Sequence, residues 1–193
     1  PSGIYFYQLI VNDSMNKKSI IIKIITAPAL FFLFASIVSG SIPHIRTPLP
    51  VIYLEDNLDE KDNLGYCIDT VGRGFAEKLH AHSCKPRGGD VQFKYDNDEK
   101  RIQSATFEGK CAEVIEEIKD GSRLGLFDCS SSSSLQRFDY DSKSMEFRPG
   151  LNKNLCLGVA EKSRKAGPFM ARNHRIYRCD KIKDKFKRWV IKN

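Results

Sequence analysis

Six cysteines, at positions 67, 84, 111, 129, 156 and 179, restrict the fold of this 193-residue chain more than any other feature. The first members of successive pairs are 44 and 45 residues apart, and the second members 45 and 50. A period of this size met three times marks an internal repeat. The text around the cysteines agrees. Gly65-Tyr66-Cys67-Ile68-Asp69 returns as Gly109-Lys110-Cys111-Ala112-Glu113 and as Asn154-Leu155-Cys156-Leu157-Gly158. Leu79 to Cys84 returns as Leu124 to Cys129 and as His174 to Cys179. Val91-Gln92-Phe93 returns as Gln136 to Phe138, and the third copy ends on Lys187-Arg188-Trp189. Equivalent units make equivalent bonds, so the repeat selects Cys67–Cys84, Cys111–Cys129 and Cys156–Cys179 from the possible pairings. Loops of this size contribute roughly 3 kcal/mol each in the chain-entropy account of disulfides.

Within each unit the apolar period is two. Leu79 and Ala81 alternate with His80 and His82, Leu124 and Leu126 with Gly125 and Phe127, and Phe93 with Tyr95 as Phe138 with Tyr140. That is the period of a half-buried strand. Arg87-Gly88-Gly89-Asp90, Lys119-Asp120-Gly121-Ser122, the serines 130 to 134 and Pro149-Gly150 supply turns. The repeated region reads as all-β, although Cys111 to Ile118 also suits a helical turn.

The flanks divide the rest. From Met15, the lysines 17, 18 and 23 precede an apolar run, Ile24 to Val38, and small residues at 38 to 40 suit cleavage before Ser41. This is the layout of a secretory signal peptide, with residues 1 to 14 lying upstream of the start. No stable membrane span is expected after cleavage. Export to an oxidising compartment makes disulfides the default state of the cysteines, and the expected location is extracellular. Residues 41 to 63, Pro-rich and then acidic, read as a leader that packs loosely on a domain of residues 64 to 193, with Val51 to Leu54 as a strand.

The three units, with Cys-x-Asp/Glu early and Gln-x-aromatic late, resemble the ricin B-chain type lectin domain, a β-trefoil. Gln136-Arg137-Phe138 is the one complete late motif; Val91 and Lys187 stand at the glutamine position in the other copies. The resemblance implies that Phe93, Phe138 and Trp189 are core residues. It also implies a sugar site in each copy, with an acid two residues after the first cysteine and an aromatic two before the second. A polar residue two before the aromatic and an amide beside the motif glutamine complete it. A carboxylate accepts hydroxyl donors while a ring covers a sugar's C–H face. Carried over, the first copy offers Asp69, His80, His82 and Asp90 as its carbohydrate-binding set. The second and weaker set is Glu113, Phe127 and Gln136, with Gly125 and Leu135 at the empty polar positions. The third has Gly158 in place of the acid, beside Arg175 and Tyr177.

A secreted, non-catalytic, glycan-binding β-trefoil is the function these residues favour. A trefoil scaffold with decayed sugar sites that binds a protein or acts as an inhibitor, and a module for sulfated polysaccharide using Lys181 to Arg188, stand as alternatives. The net charge of +7 includes three lysines and one acid from residues 1 to 40, and the remainder is too dispersed to point to nucleic acid. His80, His82 and Cys84 share a strand face and have the donor types of a zinc site. Pairing of Cys84 with Cys67 takes the thiolate away, so neither metal nor other cofactor is expected. The same pairing argues against cysteine catalysis, and no hydrolase, metalloprotease or P-loop motif occurs.

Overall fold

In a computed structural model that describes residues 40–193, the apolar alternation becomes thirteen strands and two single-turn 3-10 segments. The expected signal segment lies outside the described residues. Three hairpins carry the cysteines: β2 (Tyr66–Thr70) with β3 (Leu79–Ser83), β6 (Lys110–Val114) with β7 (Leu124–Asp128), and β10 (Leu155–Val159) with β12 (Phe169–Arg178). Their registers are equivalent, pairing Asp69 with His80, Glu113 with Gly125 and Gly158 with Arg175. Cys67–Cys84, Cys111–Cys129 and Cys156–Cys179 all form, with Cα separations of 5.0, 4.9 and 5.2 Å, inside the usual disulfide range. Each bond clamps the open end of its hairpin. The segment 111–118, where a helical turn was conceivable, starts as strand β6.

Three further strand pairs begin with the late-motif aromatic residues. These are β4 (Phe93–Asp96) with β5 (Arg101–Ser104), β8 (Phe138–Asp141) with β9 (Glu146–Pro149), and β13 (Trp189–Lys192) with β1 (Val51–Leu54). The third pair joins the two ends of the domain. Val51–Leu54 therefore does more than the leader reading supposed: it is the missing partner of the last strand. A final strand with unpaired backbone groups would leave the third unit open, so the fold begins before residue 64. Asn57 and Glu60, both buried, fasten the rest of that segment by accepting the backbone N–H groups of Gly65 and Leu64.

Three two-pair units around one axis make a β-trefoil, the fold the resemblance implies. Phe93, Phe138 and Trp189 are fully buried in one core, together with Ile52, Ile102 and Phe147 from the paired strands. Burial of such side chains stabilises by roughly 1.5–3 kcal/mol each. Tyr95 Oη donates to the carbonyl of Phe138 and Tyr140 Oη to that of Trp189, at 2.7 and 2.8 Å, so the first unit is tied to the second's motif aromatic and the second to the third's. The indole N–H of Trp189 donates to Leu157 O at 3.0 Å. Near the axis the hairpins close on equivalent backbone bonds, Val71 N to Lys78 O, Ile115 N to Arg123 O and Ala160 N to Asn173 O.

One core position breaks the repeat. Where the first two units place Leu79 and Leu124, the third places His174, buried against Trp189 with ring centroids 5.3 Å apart. Burial, and then the neighbouring His80, lower its pKa from 6.5 to about 3. Below pH 6.5 the unfolded chain takes up a proton that the folded chain refuses, so stability is full above pH 6.5 and declines as pH falls towards 3. The expected slope from this residue approaches about 1.4 kcal/mol per pH unit. Urea midpoints between pH 7 and 4 measure it, and His174→Leu should flatten the slope; an equal slope in both proteins would contradict the assignment.

Candidate functional site

Because the hairpin registers match, three equivalent places can be compared directly, each with a different occupant. In the first, the structure does bring Asp69, His80, His82 and Asp90 together, but around a lysine. Lys85 Nζ lies 3.0 Å from Asp69 Oδ2 and 2.5 Å from Asp90 Oδ1. His80 Nε2 and His82 Nδ1 stand 3.7 and 3.6 Å from the same Asp69 oxygen, beyond a good hydrogen bond. Asp69 is 0%, His80 4% and His82 7% exposed, so the acid and both imidazoles are shut off from solvent, while Lys85 and Asp90 are half-buried at the edge. Burial lowers the pKa of His82, against the opposing pull of the Ser83 carbonyl and Asp69.

The cover comes from the third unit. Strand β11 (Arg164–Ala166) and the outer half of β12 form a hairpin that lies along β3, with Ala171 opposite His82 and Asn173 opposite His80. Phe169 meets the His82 ring edge-on at 5.4 Å, and Arg164 Nη2 donates to His80 Nδ1 at 3.0 Å. Arg172, 3% exposed, holds the hairpin down through Asp59 at 2.5 Å and through the carbonyls of Ala160 and Glu161. Burial alone would raise the Asp59 pKa, but hydrogen bonds from Ser163, Arg172 and Tyr66 outweigh it and bring the carboxyl to about 2. Cys84 is in its disulfide, so the His80–His82–Cys84 face has no thiolate to offer a metal.

The second place is open. Glu113 and Phe127 are half-buried on adjacent strands. Gln136, 1% exposed, donates from Nε2 to Glu113 Oε2 at 2.7 Å and to Asp128 O at 2.8 Å, while its Oε1 accepts from Ser130 N. The motif glutamine thus fixes both the acid and the strand that carries the ring. Gly125, the empty polar position, has a structural reason: a Cβ there would collide with the Phe127 ring and approach the Glu77 carbonyl to 2.7 Å. Ser133 Oγ reaches Glu113 Oε2 at 3.3 Å. That residue looked like turn filler in the sequence; its only signal was a hydroxyl-rich turn leading into the motif glutamine.

The third place is filled. A Cβ on Gly158 would meet Ile182 Cδ1 at 2.5 Å, Tyr177 Cδ2 at 3.0 Å and Phe186 O at 3.0 Å, which leaves no room for a carboxylate. Lys187 occupies the glutamine position and copies part of its work, donating to Cys179 O at 2.9 Å while pairing with Glu146 and Asp184. Lys183 pairs with Glu161 and Arg188 with Glu55, so much of the basic C-terminal run is already neutralised.

A family model described as the ricin-type beta-trefoil lectin domain matches residues 57–185. The chain belongs to the ricin-type β-trefoil lectin family. This lectin domain is of the carbohydrate-binding class. Among solved structures it is similar to an agglutinin from Abrus precatorius, at 14% identity and a TM-score of 0.53 over 76% of this chain and 47% of that one. It is also similar to the C-half of an earthworm R-type lectin in complex with GalNAc, at 11% identity and a TM-score of 0.54 over 75% of this chain and 98% of that one. A structure of GalNAc-T7 with UDP, GalNAc and Mn2+ aligns at 18% identity and a TM-score of 0.48, over 66% of this chain. The lectin thus spans a fifth of that chain and about half of the agglutinin. No curated protein matches it. Among the described residues no helix is long and apolar enough to cross a membrane.

The covered first cluster behaves as a buried ion pair, and breaking such a pair costs roughly 3–5 kcal/mol because one charge is left without compensation. Lys85→Met should therefore destabilise the lectin by about that much in urea, and adding Asp69→Asn should recover most of the loss. A Lys85→Met protein as stable as the parent would show that Asp69 has another counter-charge.

Proposed function

We infer that this lectin binds glycan without catalysis through its second repeat, with Glu113 accepting a pair of sugar hydroxyls and Phe127 covering a C–H face of the ring. The observation that carries the reading is the Gln136–Glu113 bond beside a solvent-reachable ring, while Asp69 is covered and Gly158 has no room for an acid. Ser133 adds a hydroxyl beside the carboxylate. The first-repeat set Asp69, His80, His82 and Asp90, favoured by residue types alone, acts on this reading as a structural cluster. Three disulfides in the domain and the signal-like N-terminus support a secreted protein.

GalNAc is the sugar in the earthworm lectin structure and is the natural first probe, followed by galactosides and a glycan array. A hydrogen bond to a charged group is worth about 1.5–3 kcal/mol, so Glu113→Gln should weaken binding by roughly tenfold or more. Phe127→Ala should weaken it comparably, and Asp69→Asn should leave affinity unchanged in folded protein. Titration calorimetry decides. Loss of binding with Asp69→Asn but not with Glu113→Gln, or no binding to any glycan, would overturn the assignment.

A further inference from the structure

Where the three hairpins meet at the pseudo-threefold axis there is a cavity of about 250 Å³. Its walls follow the repeat. Val71 and Ile115 stand at one equivalent position, Lys78, Arg123 and Asn173 at the next, Leu79, Leu124 and His174 at the third, and His80 and Arg175 at the fourth. The apolar wall is what a trefoil axis requires. The polar part is not, because three cations gather there and no carboxylate lines the cavity. Arg175, the half-buried one of the three, lies within ion-pair distance of no carboxylate among the described residues, where most buried or half-buried cations are paired, and the exposed Lys78 and Arg123 beside it add two further unpaired charges. Arg175 is held at the edge by donating Nη1 to Gly121 O at 2.8 Å.

His174 supplies the second, independent observation. It is 2% exposed, and neither ring nitrogen has a partner in good hydrogen-bond geometry, the Gly158 carbonyl offering only a weak one. A neutral imidazole carries one N–H donor and one acceptor, and leaving them unmatched in the interior costs free energy. Leucine at this position would cost nothing of the kind, as the first two repeats show. A ligand that accepts from an imidazole N–H and carries negative charge towards Lys78, Arg123 and Arg175 would serve the buried ring and the three cations together.

We propose that the axial cavity is a second ligand site, separate from the second-repeat sugar site, that takes a tetrahedral oxyanion: a sulfate or phosphate, free or as an ester. The guanidinium groups of Arg123 and Arg175 suit an oxyanion by paired N–H donation, Lys78 adds a point charge, and the apolar wall accommodates the carbon skeleton of an ester. This site does not use the C-terminal lysines 181 to 188.

Trp189 is the only tryptophan in the chain and packs against His174 with the rings tilted, so its fluorescence reports the site. Sodium sulfate, sodium phosphate and a 6-sulfated monosaccharide would each be titrated against sodium chloride at matched ionic strength, with the His174 imidazole followed by NMR. Saturable changes in both signals are expected, weakened at least tenfold by Arg123→Glu and by His174→Leu, the latter read by NMR on the remaining lining residues. Arg123 is exposed and leucine is the residue the other repeats carry, so both variants should fold; urea melts check this. Sugar binding that depends on Glu113 should persist in both variants. Saturation by free sulfate or phosphate identifies the inorganic ion as sufficient, and saturation by the sulfated sugar alone identifies the ester. Changes no larger than with chloride, affinity unaltered in folded Arg123→Glu, or affinity lost instead with Lys181→Ala and Lys185→Ala would overturn the proposal.

Discussion

Strand register in the three disulfide-clamped hairpins is the constraint on which the rest of the molecule depends. A slip by one residue would send every side chain to the other face. The bonds Cys67–Cys84, Cys111–Cys129 and Cys156–Cys179 prevent it by tying the second residue of each hairpin's first strand to the residue just past its second strand. With register set, the residue two after the first cysteine always faces the residue four before the second, whatever its chemistry. Asp69 opposite His80, Glu113 opposite Gly125 and Gly158 opposite Arg175 are three versions of one position. The buried aromatics Phe93, Phe138 and Trp189 then stack the units into one core.

On that shared frame, what becomes of each site is decided by a single neighbour. Gln136 holds Glu113 from the side and leaves it reachable. Val91 cannot do this in the first unit, and Lys85 instead draws Asp69 and Asp90 inward. Lys187 performs the backbone half of the glutamine's task in the third unit, where Gly158 leaves no acid to hold. The longer third unit matters most. Its cysteines are 23 residues apart against 17 and 18 in the others, and the added length extends β12 and builds β11, the hairpin that lies over the first cluster. One unit's insertion closes another unit's site.

Much of the fold was legible because its causes are local or periodic. Cysteine spacing and two-residue alternation carried the repeat, the pairings and the strands, and the late motif carried the core aromatics. The ranking of sites was not legible, because it rests on contacts between distant residues. Arg164 meets His80 and Met170 meets Ser83 across more than eighty residues, and no local pattern announces that a hairpin will cover Asp69. The extra residues between Cys156 and Cys179 were visible, but not where they would lie. Nor did the proline-rich leader show that Val51–Leu54 would pair with the last strand, because that partnership joins the two ends of the domain. By contrast, His174 at a leucine position was present in the aligned repeats, and only its burial gave it meaning.

The most direct test of where this lectin recognises sugar is a crystal structure with GalNAc or the best array ligand bound. The geometry predicts the sugar in the second repeat, its ring against Phe127 and two adjacent hydroxyls on the Glu113 carboxylate, with the β11–β12 hairpin still covering Asp69. Ligand found instead at Asp69, with that hairpin displaced, would contradict the account.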